Sequence, residues 1–346
     1  MVQGNTYHQP RLIIDDDEVY SNISGTVTFR GNNSLNSLSV KIDNPDLQLK
    51  ALIHKKVKLF LNNGSEDSIP FFSGYINSVS NSDTNITLNC QDPRVLLTGK
   101  IGDIIVFDDD NNYDGFTLGA FLYSYIEDKI NTTKTLIGTD KLSDTNPTVS
   151  LTGVREKGKV YEIAKKLIAK SIDNDSDFLN PLSYQFDIIE DSDVAQLTIK
   201  KDKQLTDLPS MTFSYSDGLL SYSYNRRLPP NTAFYEGGSF VYTNRPAGRS
   251  NIDIGDVDWV EKSRADMRGV AMKQILLENQ QKDEISISVN KGYDIGIGSI
   301  IRLDVDNDDI YGNHRVVSKN VSFGKNTSCN LKLNKKPIKV SDYINQ

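Results

Sequence analysis

A chain of 346 residues with 46 acidic and 39 basic side chains, net charge −7, is long enough for two or three packed domains. Its charge excludes sequence-independent nucleic-acid binding, which needs clustered Lys and Arg to displace counterions. No run reaches the ~20 apolar residues of a membrane helix, and Met1-Val2-Gln3-Gly4-Asn5 lacks the basic start and apolar core of a signal peptide, so the expectation is a chain folded in a cytoplasm without membrane insertion.

The first strand is Arg11-Leu12-Ile13-Ile14, followed by Asp15-Asp16-Asp17-Glu18 as a solvated turn. Thr26 to Arg30 and Leu38 to Ile42 alternate apolar and polar residues, and Asn44-Pro45-Asp46 ends the second of them. In Lys56 to Leu61, residues Val57, Leu59 and Leu61 share a face before the turn Asn62-Asn63-Gly64. Phe71 to Val79 reads as a strand with Gly74 as a bulge or tight bend. Ile86, Leu88 and Cys90 line a third strand, stopped by Asp92-Pro93. Short strands with period two imply a half-buried antiparallel sheet, expected here to curl into a small barrel over residues 1–99.

Composition changes after Gly99. Ile104 to Phe107 is an apolar strand. Leu118, Phe121, Leu122, Tyr125 and Ile126 fall at helical spacing behind the N-cap candidate Thr117. A second helix covers Val160 to Ser171, and Tyr184 to Ile188 with Ala195 to Ile199 form a hairpin. Residues 100–205 therefore read as a small α+β domain.

From Met211 the chain is β again. Met211 to Tyr215 and Leu219 to Tyr224 flank the turn Ser216-Asp217-Gly218 and read as a hairpin. Thr232 to Tyr235 and Ser239 to Tyr242 follow. An inserted loop and helix occupy about 243–282, with Ser263 as the cap, before Ile285, Ile287 and Val289 alternate on one face. Ser299 to Lys336 then repeats the earlier pattern. Ile301, Leu303 and Val305 correspond to Val57, Leu59 and Leu61. Gly312 precedes the strand Arg315 to Phe323, and Cys329, Leu331 and Leu333 correspond to Ile86, Leu88 and Cys90. The fold class is thus mainly β with α+β insertions: two similar antiparallel β-barrel domains, residues 1–99 and 206–346, around the α+β domain.

The sequence offers little chemistry. His8, His54 and His314 are isolated from partners, and nucleophile-elbow, phosphate-loop and zinc-helix motifs are lacking. Asp110-Asn111-Asn112-Tyr113-Asp114-Gly115 fits the first six positions of a calcium loop, but Phe121 stands where a bidentate Glu is required. Asp304 to Asp309 alternates carboxylates without the glycine, so polar turns are the reading for both. Cys90 and Cys329 read as buried free thiols. The expectation is a protein with no catalytic residues, cofactor or metal, and not an enzyme.

The run Val57 to Pro93, including Phe72-Ser73-Gly74-Tyr75-Ile76, followed by the Tyr161 to Leu167 helix, the Ala265 to Asn279 helix, Ile285 to Val289, Gly298 and Tyr311-Gly312, resembles the baseplate hub proteins of contractile-tailed bacteriophages. The resemblance follows most of the chain, without a lysozyme domain or needle-like β-helix. It implies tube-type β-domains, two per chain, in a homotrimer whose ring has pseudo-sixfold symmetry. It implies as partners a hexameric tail tube, a trimeric central spike and baseplate wedge proteins, with genomic DNA passing through the channel without specific binding. The location implied is the virion baseplate, with assembly in the host cytoplasm. A tail-tip or tube-completion protein of a non-contractile phage uses the same module. A cell-wall-degrading or glycan-binding β-protein and a calcium-dependent adhesin are readings from other classes.

Overall fold

The computed structural model describes residues 10–31, 34–43, 52–61, 69–82, 84–99, 104–107, 115–143, 149, 151, 154, 156–170, 184–201, 203, 207–226, 232–236, 239–243, 258–261, 283–307 and 310–333. The helix expected from Ser263 and most of the loop before it lie outside these residues.

The chain begins with β1 (Arg11–Ile14), β2 (Glu18–Tyr20), β3 (Ile23–Arg30), β4 (Ser37–Ile42), β5 (Lys56–Phe60), β6 (Phe72–Ser82), β7 (Asn85–Gln91) and a 3-10 helix over Pro93–Thr98. A body follows, made of β8 (Ile104–Phe107), α1 (Leu118–Lys129), α2 (Asp140–Ser143), β9 (Glu156–Lys159), α3 (Val160–Lys170), β10 (Tyr184–Ile189) and β11 (Gln196–Lys201). The last part has β12 (Met211–Phe213), β13 (Leu219–Arg226), β14 (Thr232–Glu236), β15 (Ser239–Thr243) and β16 (Asp258–Glu261). It closes with β17 (Asp283–Val289), β18 (Ile300–Leu303), β19 (Gly312–Phe323) and β20 (Ser328–Leu333).

Helix α1 starts where the sequence places it, because the Thr117 side chain accepts the Ala120 N–H at 3.1 Å and satisfies a donor that the first turn leaves open. Its apolar stripe, with Leu122 and Ile126 fully buried, joins α3 and the β10–β11 hairpin in a core separate from that of the large sheet. Strand β2 takes up Glu18, which the sequence pattern places in a turn. Strand β9 forms from Glu156-Lys157-Gly158-Lys159, a polar segment whose pairing with β8 no periodicity announces.

The large sheet has 13 strands in the order β13-β17-β20-β19-β3-β4-β7-β6-β5-β1-β2, with β18 on β19 and β12 on β18. The ladder runs from the N-terminal β-region to the C-terminal β-region through β3 and β19. Their apolar faces share one core, with Val57, Leu59, Ile285, Leu303, Leu331 and Leu333 at 0–1% exposure.

Two corrections concern local chemistry. The turn Ser216-Asp217-Gly218 forms, but its flanking strands do not pair as a hairpin: β12 lies parallel to β18, and β13 lies antiparallel to β17. Turn residues set the chain reversal, while the burial of Phe213 in the common core sets its strand partner. Gly74 is not a bulge either. It faces Val57 in regular register, and the irregularity falls at Asn77, between Ile76 and Ser78. Glycine is needed at position 74 because an added Cβ would sit 2.3 Å from the Gln91 carbonyl oxygen.

The repeat read from the sequence is a repeat of pairing. The order β5-β6-β7-β4-β3 matches β18-β19-β20-β17-β13. Leu59 faces Phe72 as Leu303 faces Gly312, and the irregularity at Asn77 has its counterpart at Val317. His54 donates its backbone N–H to Ile76 at 2.9 Å, and Gly298 donates to Val316 at 2.8 Å. Both residues have positive φ, 70° at His54 and 82° at Gly298.

Candidate assembly interface

The sheet and the body are held together by a polar joint between their two cores. Asp92 follows β7 and caps the 3-10 helix, accepting the Arg94 N–H at 3.0 Å and the Asn36 N–H at 2.6 Å. The Arg94 side chain folds back on the same carboxylate, with Nη2 to Oδ2 at 2.6 Å and Nε to Oδ1 at 3.0 Å. It also donates to the carbonyls of Ser34, at 2.9 Å, and Phe186. Burial disfavours the charged guanidinium, and Asp92 more than reverses that, so the pKa of Arg94 rises. One fully buried side chain thus ties the sheet to β10 of the body. The sequence pattern marks Asp92-Pro93 only as a strand stop and misses this role; Asp-Pro-Arg at a strand end is the signal it carries.

The β10–β11 turn makes a second contact. Glu190 Oε1 accepts the Ser73 N–H of β6 at 2.9 Å, and its Oε2 is shielded from solvent although the residue as a whole is half-buried. Burial pushes this carboxyl up to about 7, with nearby Asp92 and Asp187 adding to the rise and the hydrogen bonds from Ser73 opposing it. Lys56 and Lys58 donate to the Asp193 and Ser192 carbonyls at 3.3 Å each, and the Tyr75 hydroxyl donates to Leu136 O at 2.9 Å. Burial, then the neighbouring Lys58, lowers the pKa of Lys56.

Between these contacts lies a cleft of about 730 Å³ lined by residues that include Asp15, Asp16, Lys56, Tyr75, Lys134 and Asp193. Within its wall Lys58 lies 3.3 Å from Asp16, and Asp15 lies 3.8 Å from Lys55 behind it. No cluster of His, Cys, Asp or Glu among the described residues could hold a metal ion.

The remaining sequence candidates are dispersed. Asp110 to Asp114 lie outside the described residues. Asp304 to Asn307 form a turn in which Asp304 N–H donates to Phe213 at 2.8 Å. His314 is buried with Nε2 2.7 Å from the Ile310 carbonyl, His54 occupies its turn, and His8 lies outside the described residues. Cys90 and Cys329 are buried free thiols, and burial pushes them up to about 12 and about 11, away from the reactive thiolate form.

The joint between the two repeats is packed and specific. Lys319 on β19 is 4% exposed, with Nζ 2.6 Å from the Tyr293 carbonyl and 4.4 and 5.3 Å from the ring centres of Phe29 and Phe71. Beside it, Thr26 Oγ1 and Ser322 Oγ are 3.2 Å apart across the strands. Among the described strands, the counterparts of these two, β6 and β13, do not pair with each other. Residues 77–82 of β6 pair only with β7 among the described strands, and β13 pairs only with β17. Among the described residues, no second strand lies on the far edge of either segment. A sheet edge of this kind is a pairing surface.

The described residues thus form a long sheet carrying two equivalent units, with the α+β body attached through buried polar contacts. Solved structures with this fold include phage tail proteins and a secretion-system component. A tail protein from Neisseria meningitidis MC58 matches with a TM-score of 0.63 and 12% identity over 97% of this chain and 99% of that one. The 43 kDa tail protein of prophage MuSo2 from Shewanella oneidensis matches with a TM-score of 0.58 and 10% identity over 97% and 98%. The Escherichia coli c3393 protein matches with a TM-score of 0.54 and 8% identity over 95% of this chain and 77% of that one; it is a component of the type VI secretion system with structural similarity to T4 tail proteins gp27 and gp5. No family model matches the sequence, and no curated protein does. The chain has the mainly β fold of these tail proteins. Among the described residues no helix is long and apolar enough to cross a membrane.

Proposed function

We propose that the chain is a structural hub of a phage contractile-tail baseplate, acting as a homotrimer and not as an enzyme. Three copies, each contributing two equivalent β-units, form a ring with pseudo-sixfold symmetry. Such a ring matches a hexameric tail tube on one side and a trimeric central spike on the other, with wedge proteins outside and DNA passing through the channel. Its place is the virion tail, after assembly in the host cytoplasm. The observation that carries this reading is the duplicated pairing order, with one internal joint made and no partner on the equivalent edges among the described strands. A repeat of two units per chain turns threefold into approximate sixfold symmetry, and ring closure removes edges that would otherwise invite open-ended growth. The fold shared with phage tail proteins supports the same role.

Native mass measurement on the purified chain, alone and with its spike, tests the reading. A closed trimer in either condition is the expected result. A monomer in both overturns it.

A further inference from the structure

The internal joint specifies how one copy should meet the next. In β3 against β19 the facing pairs are Phe29 with Lys319, Thr28 with Asn320, Val27 with Val321 and Thr26 with Ser322. The equivalences that carry this joint onto the open edges come from register alone. The irregularities at Val317 and Asn77 align β19 with β6, so Lys319 corresponds to Val79 and Ser322 to Ser82. Leu333 corresponds to Cys90, which sets Ile285 against Leu38, and hence Tyr224 against Val27.

We infer that β13 of one copy pairs antiparallel with residues 77–82 of β6 in the next copy, with Ser223 facing Ser82, Tyr224 facing Asn81, Asn225 facing Ser80 and Arg226 facing Val79. The inference rests on the ring reading and fixes its contact residue by residue. The chemistry of two of these pairs supports the register. Ser223 with Ser82 keeps the hydroxyl pair that Thr26 and Ser322 make at 3.2 Å. Asn225 with Ser80 keeps the amide-with-hydroxyl pair of Asn320 and Thr28, with the two roles exchanged between strands. Val27 with Val321 has no such counterpart in Tyr224 with Asn81. A slip by one residue would turn every side chain to the opposite face and lose both matches. Ser80, Ser82, Ser223 and Asn225 are exposed in the single chain, as the contact requires.

Directly facing residues in antiparallel strands lie ~4.5–5.5 Å apart at Cα, within disulfide range. The test is the full-length double variant Ser82→Cys with Ser223→Cys, oxidised and run on a non-reducing denaturing gel beside its native mass. Ser82→Cys with Asn225→Cys serves as the off-register control, and Thr26→Cys with Ser322→Cys as the intrachain control. Covalent dimer and trimer from the first pair, several-fold above the off-register control, is the expected result. A native trimer that stays uncross-linked, or links better off register, overturns the register and leaves the ring intact. A monomer whose intrachain control still forms overturns both.

Discussion

Arg94→Met removes a buried cation from a joint whose geometry sets the size of the loss. The Arg94 and Asp92 side chains are each 1% exposed, and the guanidinium meets the carboxylate through Nε and Nη2 while also holding the Ser34 and Phe186 carbonyls. With the cation gone, Asp92 retains the backbone donors of Asn36 and Arg94 but remains a buried carboxylate without its counter-charge. Breaking one side of such a pair costs about 3–5 kcal/mol, against ~0–1 kcal/mol for an exposed pair. Methionine keeps much of the side-chain volume, so the loss is electrostatic and in hydrogen bonding rather than a cavity. Urea unfolding followed by circular dichroism should show it, with limited proteolysis cutting first where the body meets the sheet. Asp92→Asn combined with Arg94→Met should recover part of the loss, because the stranded charge is then absent. A loss below ~1 kcal/mol for Arg94→Met would refute the assignment of this pair as the tie between sheet and body.

Other expectations follow from buried groups and close contacts. Because the Glu190 carboxyl is raised to about 7, the folded chain holds a proton that the unfolded chain releases near the ordinary carboxylate range, so this residue favours the fold at low pH and its contribution falls as pH rises toward 7. Glu190→Gln should flatten that slope in melting temperature against pH; an unchanged slope counts against the shielding described. Burial lowers Lys319 to about 8, so the unfolded chain binds the extra proton and stability rises from about pH 8 to 10. Lys319→Met should abolish that rise. Gly74→Ala should cost about 2 kcal/mol or more in urea unfolding, since the added methyl meets a backbone carbonyl at 2.3 Å that cannot rotate away. Leu59→Asp or Leu303→Asp, each placing a charge where exposure is 0%, should yield no soluble protein; soluble, assembling variants would show the strand faces to be inverted.

Period-two alternation makes most strands of the large sheet legible in the amino-acid sequence, because a strand buried on one face must alternate. It sets Val57, Leu59, Ile285, Ile287, Leu331 and Leu333 inward, where the structure has them. The same alternation, repeated in the same order, reveals the duplication. Helix α1 is legible from Thr117 and the stripe behind it, since capping and amphipathicity act within a few residues. What sequence does not carry is partner choice. Alternation states which face of a strand is buried but not which strand lies beside it. A turn between β12 and β13 therefore suggests a hairpin that does not form, and nothing local announces that β3 and β19 join the two β-regions. The Arg94–Asp92 tie, the Glu190 contact with Ser73 and the burial of Lys319 likewise depend on residues that meet only when the body packs on the sheet and the two repeats join. Local sequence determined the elements and their apolar faces, because those depend on dihedral preference and periodicity. Tertiary structure decided their neighbours, because pairing is set by the burial of the whole core rather than by any one strand.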